Sequence, residues 1–215
     1  IKEVITQLNK YAKPLEIIVV DDNSPDGTAK KAKEAASNVK VIVRKNERGV
    51  GSAIKRGIEE AQGDIVIWMD ADLSMPPSLV PKLLAELKNY DIAIASRYVK
   101  GGQDKRSFGR VLTSRALNLV ASLLLGYGIK DYDTGFVAVK KDVFKEVSFS
   151  EKGHGEYCIE FLYNACRAGF KVKEIPFIFT ERVKGKSKTV SSIFSYPLHG
   201  FRYLWRIFSI KLRNR

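Results

Sequence analysis

The sequence predicts an α/β domain with a mainly parallel sheet and helices on both faces. Three observations carry that expectation. Short runs rich in Val and Ile recur at Glu16–Val20, Val39–Val43, Asp64–Asp72 and Asp91–Ala95, with the length and composition of buried strands. Helical stretches separate them. Two of the strands also run out into acidic turns, at Asp21-Asp22-Asn23-Ser24-Pro25-Asp26 and at Asp70-Ala71-Asp72. Such positions are carboxyl ends of strands, where open α/β sheets collect their ligands.

Taken in order, Ile1, Val4, Ile5 and Leu8 share one helical face, so the chain opens in a helix through Tyr11. Pro14 sets off the strand Glu16–Val20, and the polar run from Asp21 to Thr28 is a turn before a capped helix reaching Ala36. Val39–Val43 is the second strand. Asn46 to Gly51 forms a loop, and Ser52–Ala61 a helix ended by Gly63. The third strand, Asp64–Asp72, is expected to be buried on both faces. A helix from Pro77 to Leu87 and the strand Asp91–Ala95 follow. After Arg97 the pattern loosens into a loop at Gly101–Lys105, a helix at Phe108–Leu125, a turn at Asp131–Gly135 and a strand at Phe136–Val139. A helix at Glu156–Ala168, closed by Gly169, precedes a strand at Val172–Phe179 interrupted by Pro176. A last helix spans Ile193–Leu212 despite Pro197 and Gly200.

A length of 215 residues supports one substantial core, and an apolar share of 45% with 28% charged residues excludes wholesale disorder. Lys and Arg total 37 against 24 Asp and Glu, a net charge of +13. That balance favours polyanionic partners such as nucleic acid, an anionic membrane or phosphorylated ligands. Cys158 and Cys166 are too far apart along one helix to bond to each other, and neither belongs to a metal-type spacing, which points to a reducing compartment. No signal peptide is visible. The longest apolar stretch, Ala116–Leu125, is interrupted by Asn118 and Ser122 and falls short of a bilayer span.

Asp70 and Asp72 alternate with Ala71, so their side chains can project to one side. Two such carboxylates repel unless a cation neutralises them, and a hard divalent ion bridging to a diphosphate does so. The plainer alternative is an acidic turn with Asp72 as a helix cap. The glycines at Gly49 and Gly51 lack a following Gly-Lys-Ser/Thr, so they read as a tight turn rather than a phosphate loop.

Several short patterns occur in a fixed order: the Asp21-Asp22-x-Ser24-x-Asp26 turn, Arg48-Gly49, Asp70-Ala71-Asp72-Leu73-x-x-Pro76-Pro77, Ser96-Arg97-Tyr98, Asp131-x-x-Thr134-Gly135-Phe136 and Arg182-Val183-x-Gly185-x-Ser187-Lys188. Together they resemble glycosyltransferase family 2, and within it the polyprenyl-phosphate sugar transferases of the dolichyl-phosphate mannose synthase type. The resemblance covers nearly the whole chain. It implies a nucleotide-diphospho-sugar transferase (GT-A type) fold and a metal-dependent, inverting transfer of mannose from GDP-mannose to dolichyl or another polyprenyl phosphate. It also implies that Val20 and Asp22 hold the nucleoside and that Asp70 and Asp72 hold Mg²⁺ or Mn²⁺ against the diphosphate. Ala71, Arg97, Arg182 and Lys188 would complete the donor site, with Arg97 and Arg182 joining the two carboxylates in catalysis. Arg110, Ser114, Asp131, Ser187 and Lys188 would meet the acceptor phosphate. Each has a plainer competitor: Arg97 as a surface ion pair, Lys188 as loop charge, Asp131 as a turn cap. The chain departs from the pattern twice. It is expected to lack the family's first strand, and Ser74 stands where relatives often carry Gln.

The last helix bears a basic stripe at His199, Arg202, Arg206 and Arg213, with Ser209, opposite Phe194, Leu198, Phe201, Leu204, Trp205 and Phe208. Such a helix suits an anionic membrane interface, the alternative being packing on its own domain. The expected layout is a catalytic domain over 1–189 and an amphipathic interface helix over 190–215. The expected location is peripheral, on the cytoplasmic face of a membrane, with any transmembrane segments lying outside this chain. Charge alone suggests a nucleic-acid-binding module, but the acidic pair would repel a phosphate backbone, so no nucleic acid is expected. Two other readings remain: a family 2 transferase using another donor such as UDP-glucose, and a non-catalytic nucleotide-sugar-binding protein.

Overall fold

The computed structural model describes residues 1–14, 16–151, 156–180 and 195–213, leaving aside the side chains of 195–199, 201 and 202. Helix α1 (Lys2–Tyr11) buries Val4 and Ile5 beneath an otherwise polar surface. Strands β1 (Ile17–Asp21) and β2 (Val39–Val43) pair in parallel, from Ile17 opposite Val39 to Asp21 opposite Val43, with α2 (Thr28–Lys33) as the crossover. Helix α3 (Val50–Glu60) leads into β3 (Ile65–Trp68). A 3₁₀ turn at Pro77–Leu79 runs into α4 (Val80–Glu86) and then β4 (Ile92–Ser96). The remainder comprises β5 (Gln103–Asp104), α5 (Phe108–Leu125), β6 (Val137–Lys140), α6 (Val143–Glu146), α7 (Glu156–Arg167), β7 (Val172–Pro176), β8 (Ile178–Phe179) and α8 (Ser195–Arg213).

The central sheet has the order β3-β6-β4-β7. β4 and β7 run parallel, while β6 lies antiparallel between β3 and β4. Alternation along these strands divides the core in two. Val66, Trp68, Ile92, Ile94, Val137 and Val139 face a cluster completed by α5, α7 and α8. Ile67, Ala93, Ala95, Ala138 and Ile175 face α4. Helices therefore cover both faces.

Several local expectations change. Gly101–Lys105 is not all loop, because β5 pairs with β8. The Val172–Phe179 run splits at Pro176, which has no N–H to donate; Phe177 then bonds Ser96 on one side and Gln103 on the other. The short helix α6 had no sequence signal. Helix α8 packs on α5 and α7 and contributes Ile207 and Ile210 to their shared core.

Strand β3 is not buried on both faces, since Ile65 is 40% exposed. The reason lies in the sheet order: β1 and β3 are not paired with each other. A cavity of about 470 Å³ separates them, lined by Ile5, Ile17, Val19, Ile54, Ile65 and Ile67 among others. At one end the Gln62 N–H donates to Glu16; Val20, Asp70 and Ala71 line the other.

Candidate functional site

Three strand ends build the site. At the end of β3 the chain turns through Asp70, Ala71 and Asp72, with Leu73 forced into a left-handed conformation at φ 66°. That geometry costs a side-chain-bearing residue about 1–3 kcal/mol, so the surroundings must hold it. They do. The buried Ser74 donates its N–H and its hydroxyl to Asp72 Oδ1 at 3.0 and 2.5 Å. The Asp70 N–H reaches the Sδ of buried Met75 at 3.4 Å. Met75 in turn lies against Gly135, where an added Cβ would come within 2.9 Å of its terminal methyl. Asp70 and Ala71 are exposed and Asp72 half-buried.

Among the described residues no three His, Cys, Asp or Glu side chains cluster as metal ligands. This does not suit a structural zinc site. It does fit Mg²⁺ or Mn²⁺, which one or two carboxylates hold while substrate phosphates and water complete the shell. Asp70 and Asp72 would be those carboxylates.

At the end of β1, Asp22 is bound to Arg44, a residue the sequence reading missed. Arg44 Nε donates to Asp22 Oδ1 at 2.7 Å, its Nη2 bonds the same oxygen, and the Gly49 N–H meets Oδ2 at 3.0 Å. The buried guanidinium also reaches Ser52 Oγ at 2.9 Å and the Gly49 carbonyl at 3.0 Å. Asp22 thus clamps the Gly49 loop to the strand end. The available signal was a lone Arg closing a β-branched run. Val20 is half-buried and lines the slot beside Asp70 and Ala71.

At the end of β4, Arg97 and Asp131 engage each other. Both are buried; Arg97 N and Nε donate to Asp131 Oδ2 at 2.9 and 2.8 Å, and Nη2 donates to Oδ1 at 2.7 Å. Nη2 also reaches the Asp133 carbonyl at 3.1 Å, and the guanidinium lies over the Tyr98 ring at 5.0 Å. Burial opposes the charge on Arg97, but Asp131 more than offsets it and holds the guanidinium firmly protonated. The two residues expected at substrate phosphates thus engage each other as a buried ion pair at the end of β4. Its effect is to pin the Asp131–Gly135 turn under the β3 turn. Thr134 Oγ1 adds a bond to the Ala95 carbonyl at 2.6 Å.

Asp133, also unmarked in the sequence, accepts a hydrogen bond from Tyr203 of α8 at 3.1 Å. Burial pushes its carboxyl up to about 6; Arg97 opposes that shift and Asp131 adds to it. Ser114 is buried on α5 and accepts from the Tyr98 hydroxyl at 2.8 Å. One turn on, Asn118 Oδ1 accepts the Tyr132 N–H at 2.7 Å. Arg110 is half-buried in the first turn of α5. Arg182, Ser187 and Lys188 lie outside the described residues.

The sequence profile of glycosyl transferase family 2 matches residues 1–148. A dolichol-phosphate mannosyltransferase of Pyrococcus furiosus is 43% identical over 196 residues, 88% of this chain and 55% of that protein. The chain thus spans about half the length of that relative. Polyprenol monophosphomannose synthase of Mycolicibacterium smegmatis is 34% identical over 200 residues, covering 88% and 76% of the two chains. A dolichol-phosphate mannosyltransferase of Saccharomyces cerevisiae is 32% identical over 208 residues, covering 91% and 76%. Among solved structures, glucosyl-3-phosphoglycerate synthase of Mycobacterium tuberculosis, crystallised with Mn²⁺, UDP and phosphoglyceric acid, superposes with a TM-score of 0.74. At 20% identity over 98% of this chain and 73% of that one, it shows a shared GT-A fold.

Proposed function

The chain belongs to glycosyltransferase family 2, and from that premise we propose that it moves mannose from GDP-mannose to dolichyl or another polyprenyl phosphate. The transfer is metal-dependent and inverting, at the cytoplasmic face of a membrane. One observation carries the reading: the Asp70-Ala71-Asp72 turn stands at the carboxyl end of β3, braced by Ser74 and Met75, in a chain 43% identical to a dolichol-phosphate mannosyltransferase.

A divalent ion bound there would supply Lewis acidity to the leaving diphosphate. The chain's own residues set the geometry. Ser74 fixes one oxygen of Asp72 and so orients the other. Ala71 presents no bulk beside the strand end, leaving room for the nucleotide. The Arg97–Asp131 pair fixes the floor of the site, so substrate binding need not order it. The acceptor phosphate arrives ionised, so its nucleophilic oxygen needs no protein base. Attack from the face opposite the diphosphate inverts the anomeric carbon.

The test offers labelled GDP-mannose and, in parallel, UDP-glucose, each with a short polyprenyl phosphate, with and without chelator. The reading expects lipid-linked mannose only with GDP-mannose and free divalent ion, with the new bond in the β configuration. Transfer from UDP-glucose alone would overturn the donor. Divalent-dependent nucleotide binding without any transfer would leave a non-catalytic nucleotide-sugar-binding protein.

A further inference from the structure

Three carboxylates and two guanidinium groups meet where β4 ends, and their charges do not balance. Asp131 accepts from Nε and Nη2 of Arg97. Asp104 accepts from Arg106 Nε at 2.9 Å and Nη2 at 2.6 Å. Both carboxylates are fully buried, at 0% side-chain exposure. Asp133 is left over. Arg97 Nη2 stands 3.8 Å from its Oδ2, beyond hydrogen-bond reach, because that nitrogen is engaged by Asp131 and by the Asp133 carbonyl. The Oδ1 of Asp133 accepts instead the hydroxyl of Tyr203, a neutral donor on α8, at 3.1 Å. Arg106 and Asp131 act on Asp133 through space. From the head of α7, Tyr157 and Cys158 feel its charge, and burial keeps their hydroxyl and thiol protonated. Glu156 of the same helix acts on Tyr203.

The turn that carries Asp133 reaches the acidic pair. Two residues on, Gly135 lies against Met75, and the Sδ of Met75 receives the Asp70 N–H. The Tyr157 hydroxyl is 4.0 Å from where a Gly135 Cβ would stand, and it feels the charges of Asp70 and Asp133 alike. Tyr203 is therefore fastened, through Asp133, to the backbone on which the Asp70 turn rests. Elsewhere α8 is held by Ile207 and Ile210 in the core. Arg206, expected in the basic stripe, points inward instead to Glu160 and Ser150; the side chains of His199 and Arg202 lie outside those described.

We propose that the Tyr203–Asp133 hydrogen bond is a positioning contact for sugar transfer, through which helix α8 sets the turn beneath Asp70. What that turn positions rests on the proposed function; the tie itself rests on the geometry. A hydroxyl binds an ionised carboxylate more strongly than a neutral one. Burial keeps Asp133 protonated up to about pH 6, so it holds Tyr203 tightly above that pH and loosely below it. Both side chains act through the turn rather than on the reacting atoms, which makes them positioning residues.

The test compares the parent chain with Tyr203→Phe, which keeps the ring and loses the hydroxyl, and with Asp133→Asn, which keeps an acceptor that cannot ionise. Hydrogen exchange read by mass spectrometry reports the tie whatever the chemistry. At neutral pH the amides of 69–75 and 131–136 should exchange about tenfold faster in Tyr203→Phe, with thermal unfolding little changed. Unchanged exchange would overturn the tie. Transfer from GDP-mannose to a short polyprenyl phosphate, with Mn²⁺, should show kcat about tenfold lower in Tyr203→Phe and the donor KM unchanged. Equal kcat in the two would overturn the positioning role. No transfer by the parent would count against the proposed function instead, and exchange would still decide the tie. In the pH profile, losing the hydroxyl removes a bond that favours ionised Asp133. The acid limb due to Asp133 should therefore move to higher pH in Tyr203→Phe and be absent from Asp133→Asn. A limb shared unchanged by all three would belong to the acceptor phosphate, whose second pKa is about 6, and would overturn the role of Asp133.

Discussion

Two of the acidic turns, Asp70–Asp72 after β3 and Asp131–Asp133 before the adjacent β6, are built in opposite ways. The Asp131 carboxylate is wholly buried and bonded by the Arg97 side chain and backbone. The Asp70–Asp72 turn stands at the mouth of the site, with Asp70 exposed and Asp72 braced by the neutral donors of Ser74. A buried carboxylate with a bidentate arginine is already neutralised and holds the backbone in place. A surface pair on a strained, braced turn is where the proposed function expects a ligand that arrives from outside. Residue type alone does not separate the two; burial does.

Substitutions should sort along that line. The largest effect on stability is expected at the closed turn. Asp131→Asn leaves Arg97 buried without its counter-charge and should cost about 3–5 kcal/mol of unfolding free energy, read by urea denaturation. At the open turn, Asp72→Asn should lower mannosyl transfer by about a hundredfold or more, because Lewis-acid stabilisation supplies several kcal/mol. Its denaturation midpoint should stay close to the parent's. A matching loss of stability would make Asp72 structural as well, and the distinction would fail.

Ser74→Ala sharpens the comparison further. It removes the brace on Asp72 without touching the carboxylate, and should lower transfer about tenfold, as for other groups that orient a metal ligand. Rescue by Ser74→Thr, which keeps the hydroxyl, would distinguish orientation from packing. The smallest effect concerns pH. Asp133 titrates near 6 in the fold, above its ordinary value. The folded state therefore binds a proton that the unfolded chain has already lost between about pH 4 and 6. This contribution to stability is full at low pH, falls as pH rises through that window, and is flat above it. Asp133→Asn should remove that fall from a plot of melting temperature against pH.

Much of the fold was legible. The second strand, Val39–Val43, and the helix Phe108–Leu125 match the structure residue for residue, because β-branched runs and sustained helical periodicity are strong local signals. β5 and β8 were less legible, since two-residue strands exist through tertiary pairing rather than through any pattern of their own. The site divided the same way. Asp70-Ala71-Asp72 could be read because spacing and strand-end position lie within one segment. Arg97–Asp131, Asp22–Arg44 and Tyr203–Asp133 could not, because each joins residues distant in sequence, and a sequence shows charges without their partners. The apolar side of α5 was visible as composition, but its exposure was decided by which face Ser114 and Asn118 fasten to the domain.

The distinction between the two turns is tested most directly by calorimetric titration of GDP-mannose into the parent chain and into Asp72→Asn, each with Mn²⁺ and with chelator. The account predicts divalent-dependent binding in the parent that is lost in Asp72→Asn, with the melting temperature of the variant little changed. Binding of equal affinity in both proteins, with or without Mn²⁺, would contradict it.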